Sequence, residues 1–189
     1  MSRPQILVIY GTTEGHTLKV ATAMARTLRA EGADVDLVNA AARGQDPRPD
    51  AYASVIVAAS VHAGSYQAPV RRWVKAHAEA LRARPTAFVS VCLAVLQRSP
   101  KVDEQLALTL RRFFDGTGWE PTESKIVAGA LPYTRYGWLK RWLMRRIVAK
   151  AKGDTDTSRD YEYTDWDDLA AFTAKFGARV LAGRIGVSA

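Results

Sequence analysis

Residues 6–24 read ILVIYGTTEGHTLKVATAM, and the order of residue types in this stretch decides the fold. The apolar run from Ile6 to Tyr10 suits a strand covered on both faces. A hydroxyl-rich turn follows, Gly11, Thr12, Thr13, Glu14, Gly15, His16 and Thr17, after which Leu18, Ala21, Ala25 and Leu28 recur at helical spacing. A strand therefore enters a helix through a turn whose chemistry suits a phosphate. A phosphate dianion needs backbone N–H groups converging on one place, the positive end of a helix, and short hydroxyl donors. Thr12, Thr13 and Thr17 supply the hydroxyls, and Gly15 lets the backbone bend close without a Cβ in the way.

Spacing excludes two other phosphate loops. A P-loop needs four residues between its glycines and a Lys after the second, whereas Gly11 and Gly15 enclose three and His16 follows; no G-x-G-x-x-G is present either. Neither a nucleotide triphosphatase nor a Rossmann dinucleotide site is favoured.

Beyond the first helix, strands and helices alternate. Asp34 to Asn39 alternates as a strand nearer the sheet edge, and Ser54 to Ser60 suits a strand covered on both sides. Pro69 opens a helix with Val70, Trp73, Val74, Ala78 and Leu81 on one side. Pro85 to Cys92 forms the next strand, Leu93 to Lys101 a loop, and Val102, Leu106, Leu110, Phe113 and Phe114 the inner face of another helix. Lys125 to Leu131 makes the last strand, and Thr164 or Asp165 caps a final helix with Leu169, Phe172, Phe176 and Val180 inward. With 189 residues the chain reads as a single α/β domain, residues 1–189. The alternation predicts a five-stranded parallel sheet in the doubly wound order 2-1-3-4-5, with helices on both faces and ligands at the carboxyl ends of the strands. The second such end offers Ser60, Val61, His62, Ala63, Gly64 and Tyr66, with a small residue for close approach and an aromatic to lie against a flat ring; the third begins at Cys92 and Leu93.

The formal net charge is +8, and one stretch accounts for all of it. From Lys125 to Gly153 there is no Asp or Glu, but there are eight cations: Lys125, Arg135, Lys140, Arg141, Arg145, Arg146, Lys150 and Lys152. Most lie in Pro132 to Thr157, a segment inserted between the last strand and the last helix. Its helix-forming part, Leu139 to Lys152, is too short to cross a bilayer but can lie on one, where each cation contributes about 1 kcal/mol toward an anionic leaflet. A solvated basic cover and a site for an acidic substrate remain open alternatives. The single Cys92 forms no intramolecular disulfide and provides no metal cluster, consistent with a reducing, cytoplasmic compartment. Neither an export signal nor a bilayer-length apolar run is expected.

Val8, Ile9, Tyr10, Thr12, Gly15, Thr17 and Ala21 fall on the flavodoxin signature, with Met24 where that pattern has Leu, Ile or Val. Over nearly its full length the chain resembles the menaquinone-dependent protoporphyrinogen dehydrogenases, a flavodoxin-like family of haem biosynthesis in Gram-negative bacteria. The likeness rests on the first turn, on Ala59 and Ser60 through Gly64 and Tyr66, and on Ala128 to Leu131 running into Tyr133, Arg135, Tyr136 and Trp138. It continues through Gly153 to Thr157 and Tyr163 to Trp166. The third loop departs from the pattern, with Cys92, Leu93, Ala94, Val95 and Leu96 where a polar residue is expected.

The resemblance implies FMN held at Thr12 to Thr17, with the loops at Ser60 to Tyr66 and at Cys92 and Leu93 around its ring. It further implies oxidation of protoporphyrinogen IX to protoporphyrin IX in successive two-electron steps, with electrons passed to menaquinone or ubiquinone. Tyr133 and Arg135 are the expected substrate contacts; the sequence names no acid or base. The basic insert would meet an anionic membrane surface, giving a cytoplasmic protein peripherally associated with the inner membrane. Rival readings are a flavodoxin-type electron carrier, disfavoured because such carriers are typically acidic, and an NAD(P)H:quinone oxidoreductase. Nucleic-acid binding through the insert would leave the phosphate turn without a role.

Overall fold

The computed structural model describes residues 3–62, 64–97, 99–135, 154 and 156–183. The first strand, β1 (Gln5–Gly11), turns into α1 (His16–Ala30) and returns as β2 (Asp34–Asn39). Then come β3 (Ser54–His62), the two-residue β4 (Ser65–Tyr66), α2 (Ala68–Ala76), α3 (Ala78–Arg82) and β5 (Thr86–Val91). The chain continues through α4 (Pro100–Thr117), β6 (Glu123–Val127), β7 (Ala130–Leu131), β8 (Tyr161–Glu162) and α5 (Trp166–Leu181). The five long strands pair in parallel in the order β2-β1-β3-β5-β6, with β4 attached antiparallel to the end of β3. The expected 2-1-3-4-5 arrangement is therefore present, β4 being a short addition outside it.

Because side chains alternate along a strand, the sheet divides its apolar residues between two cores. Ile6, Val8, Ile56 and Val89 face α1 and α5, where Met24, Leu28, Leu169 and Phe176 meet them. Leu7, Ile9, Val57 and Phe88 face the other way, against Val70 and Trp73 of α2, Leu81 of α3 and Phe113 of α4. Phe88 is the hub of an aromatic cluster, edge-on to Tyr66 and stacked on Phe113 with centroids 5.1 and 5.0 Å away. Gly177 sits inside α5 because α1 passes so close: a Cβ there would meet Leu28 Cδ2 at 2.8 Å.

Several boundaries differ from the periodicity. Ala21, Ala25 and Leu28 face inward on α1 as the spacing predicts, but Leu18 is exposed, and Thr17, Val20 and Met24 complete the buried face. The helix opened by Pro69 is two helices, broken at His77. The last strand of the sheet starts at Glu123 and ends at Val127, before two residues that leave the sheet. Ala130 and Leu131 instead pair antiparallel with Glu162 and Tyr161, making a separate two-stranded ladder. Of the two candidate caps for the final helix, Asp165 does the capping, accepting from Asp168 N at 2.9 Å.

Candidate functional site

The carboxyl ends of β1, β3, β5 and β6 enclose a cavity of about 330 Å³. Thr12, Glu14, His16 and Thr17 line it from the first turn, Ser60, Val61 and His62 from the second, Val91 through Ala94 from the third, and Gly129 and Ala130 from beyond β6. Parallel packing produces this: adjacent strands end together, and the chain diverges to opposite faces on either side of β1.

The first turn is shaped by its own side chains. Thr12 Oγ1 accepts from Gly15 N at 2.9 Å, and Gly15 takes φ 89°, a left-handed conformation that costs a glycine little. Among the described residues, no side chain caps α1 and no acidic residue occupies its first turn. Its leading N–H groups and positive end are therefore open to an anion at the cavity rim. Thr17 is 1% exposed, and its hydroxyl makes no hydrogen bond to another described residue. Gly11 is needed for room, since a Cβ there would overlap Val70 Cγ2.

Gln67, which the sequence reading did not single out, ties two loops together. Its Oε1 accepts from Ser60 N at 3.2 Å, and its Nε2 donates to Ser60 Oγ at 2.6 Å and reaches Thr13 Oγ1 at 3.5 Å. Ser60 Oγ in turn meets His62 Nε2 at 3.1 Å. In the third loop Cys92 N donates to Val127 O at 2.9 Å, and burial pushes the buried thiol's pKa up, so it stays an uncharged wall. Gly129 lines the cavity beside Val91 and Leu93, where an added Cβ would lie 3.4 Å from Val91 Cγ1, an ordinary van der Waals contact.

His16 joins the turn to the chain beyond the insert. Its Nε2 lies 2.7 Å from Thr164 Oγ1, which donates to Ala128 O at 2.7 Å. Its Nδ1 lies 3.6 Å from Glu162 Oε2, the oxygen that also accepts from Lys19 Nζ at 2.8 Å. Burial lowers the His16 pKa, opposed by Glu162 and assisted by Lys19. Glu162 is held below its usual range by the Lys19 hydrogen bond, against a desolvation cost.

The two tyrosines expected at the ligand are elsewhere. Tyr66 is 5% exposed: its ring packs into the core against Phe88 and Phe113, and its hydroxyl meets Ser90 Oγ at 2.8 Å. Burial raises its pKa to about 12. The antiparallel turn back through β4 points its side chain inward, so it cannot lie against a flat ring. Tyr133 is fully buried with Leu131, and its hydroxyl donates to Asp154 O at 3.0 Å. Tyr163 donates to the Asp154 carboxylate at 2.6 Å, and Thr134 bonds Asp160 through its N–H and hydroxyl at 2.9 and 2.8 Å. Tyr133 thus fastens the base of the inserted segment, its side chain buried and bonded to Asp154. Arg135 ends the short 3-10 turn Tyr133–Arg135. Thr13, Gly15 and Gly64 flank the cavity without lining it, whereas Ala63 and the basic run 136–153 lie outside the described residues.

A flavin with a phosphate tail fits this donor set: uncapped N–H groups and hydroxyls at one end, apolar Val61, Val91 and Leu93 walls at the other. No helix among the described residues is long and apolar enough to cross a membrane.

The Flavodoxin domain family model matches residues 7–158. A protein of Escherichia coli strain K12 named "Protoporphyrinogen IX dehydrogenase [quinone]" is 34% identical over 166 residues, covering 88% of this chain and 91% of that one. A Leishmania major protein of the same name is 34% identical over 183 residues, covering 95% of this chain and 77% of that one. Among solved structures, oxidised flavodoxin 1 of Bacillus cereus superposes with a TM-score of 0.55 at 12% identity, over 91% of this chain and 96% of that one. A short-chain flavodoxin associated with a bacterial microcompartment gives 0.57 at 13% identity, over 96% and 99%. At such identities the structures attest the flavodoxin-like fold alone.

Proposed function

Because this chain belongs to the flavodoxin-domain family and has near-full-length relatives named as quinone-dependent dehydrogenases of protoporphyrinogen IX, we propose that it catalyses that oxidation with FMN. The observation that carries the cofactor is the uncapped start of α1, with Thr12 and Thr17 beside it, opening on a cavity at the carboxyl edge of the sheet. Thr12, Thr13 and Thr17, with the N–H groups from Gly15 onward, hold the phosphate. Glu14 contributes its backbone there. Ser60 to Gly64 on one side and Cys92 and Leu93 on the other would hold the ring, and the buried, uncharged Val91 and Cys92 would keep water from it.

The redox chemistry, a two-electron exchange between porphyrinogen and quinone, is what FMN would supply when bound at these residues. The protein contributes position. The Gln67–Ser60–His62 network fixes the second loop, and the Tyr133–Asp154–Tyr163 clasp seats the base of the insert against Leu93, beside the cavity. Arg135, next to that clasp, is assigned to a substrate propionate, which a guanidinium pairs in two-pronged fashion. The basic run that follows is assigned to an anionic membrane surface, bringing the domain to a bilayer-dissolved quinone. On this reading the protein is a single domain that works at the cytoplasmic face of the inner membrane. An electron carrier, by contrast, would not account for a charge of +8.

The test is anaerobic: flavin-loaded protein is mixed with protoporphyrinogen IX and a quinone while porphyrin fluorescence is followed, beside an NADPH-driven quinone assay. Fluorescence growth with no NADPH turnover supports the proposal, whereas NADPH turnover alone makes the protein a quinone reductase. Co-sedimentation with anionic but not neutral vesicles, weakened by salt, tests the membrane assignment.

A further inference from the structure

Thr164 has one hydroxyl hydrogen, and Ala128 O, a pure acceptor 2.7 Å away, takes it. The 2.7 Å contact between Thr164 Oγ1 and His16 Nε2 therefore has the imidazole as donor. This leaves Nδ1 as the atom that gains or loses a proton, and Nδ1 faces Glu162 Oε2 at 3.6 Å. His16 is also the first residue of α1 and lines the cavity at the end where an anion would sit. The same imidazole thus stands between an anion site and a carboxylate already shared with Lys19.

We propose, resting on the assignment of the turn to a phosphate, that His16 is a positioning residue through which phosphate binding is proton-linked: an arriving phosphate is matched by proton uptake at Nδ1. Protonation turns a lone pair facing a carboxylate into an N–H donated to it, drawing the start of α1 onto β8 and adding a positive charge beside the ligand. Among the described residues, the other titratable or charged groups around the ring are Lys19 on its own helix and Glu162 on β8, with Glu14 nearby in the turn. His62 and Cys92 line the cavity beyond, and Trp166 of α5 is tilted against the ring with centroids 6.1 Å apart. Burial holds the empty site's His16 below its ordinary value, so the imidazole is neutral near pH 7 until an anion raises its proton affinity.

The sign follows from that shift. The extra affinity is absent above the raised pKa of the complex, grows as pH falls through it, and is complete below the depressed pKa of the empty site. A single linked proton limits the slope to about tenfold in Kd per pH unit.

The experiment titrates the full-length chain, dialysed free of flavin, with FMN and separately with riboflavin between pH 5.5 and 8.5. Wild type is compared with His16→Gln, whose amide can still donate to Thr164 but does not titrate. The expected result is a severalfold tighter FMN Kd at low pH, relative to His16→Gln, with no such difference for riboflavin. Calorimetry in two buffers of different ionisation enthalpy should show fractional proton uptake with FMN in the wild type and less in the variant. Identical FMN profiles in the two proteins overturn the proposal while leaving the flavin site intact. Failure of wild type to bind FMN at any pH overturns both. Should His16→Gln not fold, Glu162→Gln serves: removing the acceptor facing Nδ1 should move the pH dependence to lower pH, and an unmoved profile refutes the linkage.

Discussion

Replacing Thr17 by Val isolates one hydroxyl in the phosphate turn. Valine matches threonine in shape, and Thr17 is 1% exposed in the first turn of α1 with no hydrogen bond to another described residue. The empty protein therefore loses no internal contact, and its stability should hold or rise slightly as a buried polar group is removed. With FMN bound, the hydroxyl donates to a dianion, and a hydrogen bond to a charged group contributes about 1.5–3 kcal/mol. Converted at about 1.4 kcal/mol per decade, Thr17→Val should weaken FMN binding by roughly 10- to 150-fold. Riboflavin, which has the same ring and no phosphate, should bind the variant as it binds wild type. Quenching of flavin fluorescence measures both constants, and denaturant unfolding without flavin measures the fold. An FMN constant unchanged by the substitution, or equal losses for FMN and riboflavin, refutes the assignment of this hydroxyl to phosphate.

Phe88→Ala empties the centre of the aromatic cluster, where Phe88 is fully buried, and should cost about 3–5 kcal/mol in chemical unfolding; a loss below 1 kcal/mol contradicts the packing described. Tyr66→Phe strands Ser90 Oγ and should lower stability by about 0.5–1.5 kcal/mol with no change in the bound flavin's absorption spectrum. A spectral shift there would restore Tyr66 to the ring. Glu162 has a depressed pKa in the folded protein, so its stabilising contribution is present above the ordinary value of 4.5 and is lost as pH falls through the lowered one. Glu162→Gln should therefore be less stable than wild type near neutral pH and equal to it in acid; a difference that persists in acid excludes the charge as its source.

The parallel sheet, its strand order and the turn between β1 and α1 were legible because each follows from local residue order: an apolar run, a hydroxyl- and glycine-rich turn, a helical stripe. That Ser60, Val61, His62, Cys92 and Leu93 line one cavity follows from the same logic, since strand ends converge whatever the detailed packing. Tyr66 and Tyr133 were misplaced because an aromatic in a loop can face in or out, and here two-residue ladders turn both inward. Leu18 differs for a related reason: in the first turn of α1 Thr17 is buried at the cavity instead, while Ala21, Ala25 and Leu28 hold the inward face as the spacing predicts. Gln67 and the His16–Thr164–Ala128 chain link residues far apart in sequence, and no spacing rule reports them. Their only local trace is polar residues at the margins of apolar runs, a pattern shared with solvated loops.

The central claim is that the start of α1 grips the phosphate of FMN. Backbone amide NMR of the flavin-free chain, titrated with FMN and with riboflavin, tests it most directly through the difference between the two sets of shifts. The account predicts that this difference concentrates on residues 12–18, with Gly15 and Thr17 moved most, while residues 60–62 and 92–94 respond alike to both ligands. A difference spread evenly, or centred on another cluster such as Arg48 and Arg84 at the opposite edge of the sheet, would contradict it.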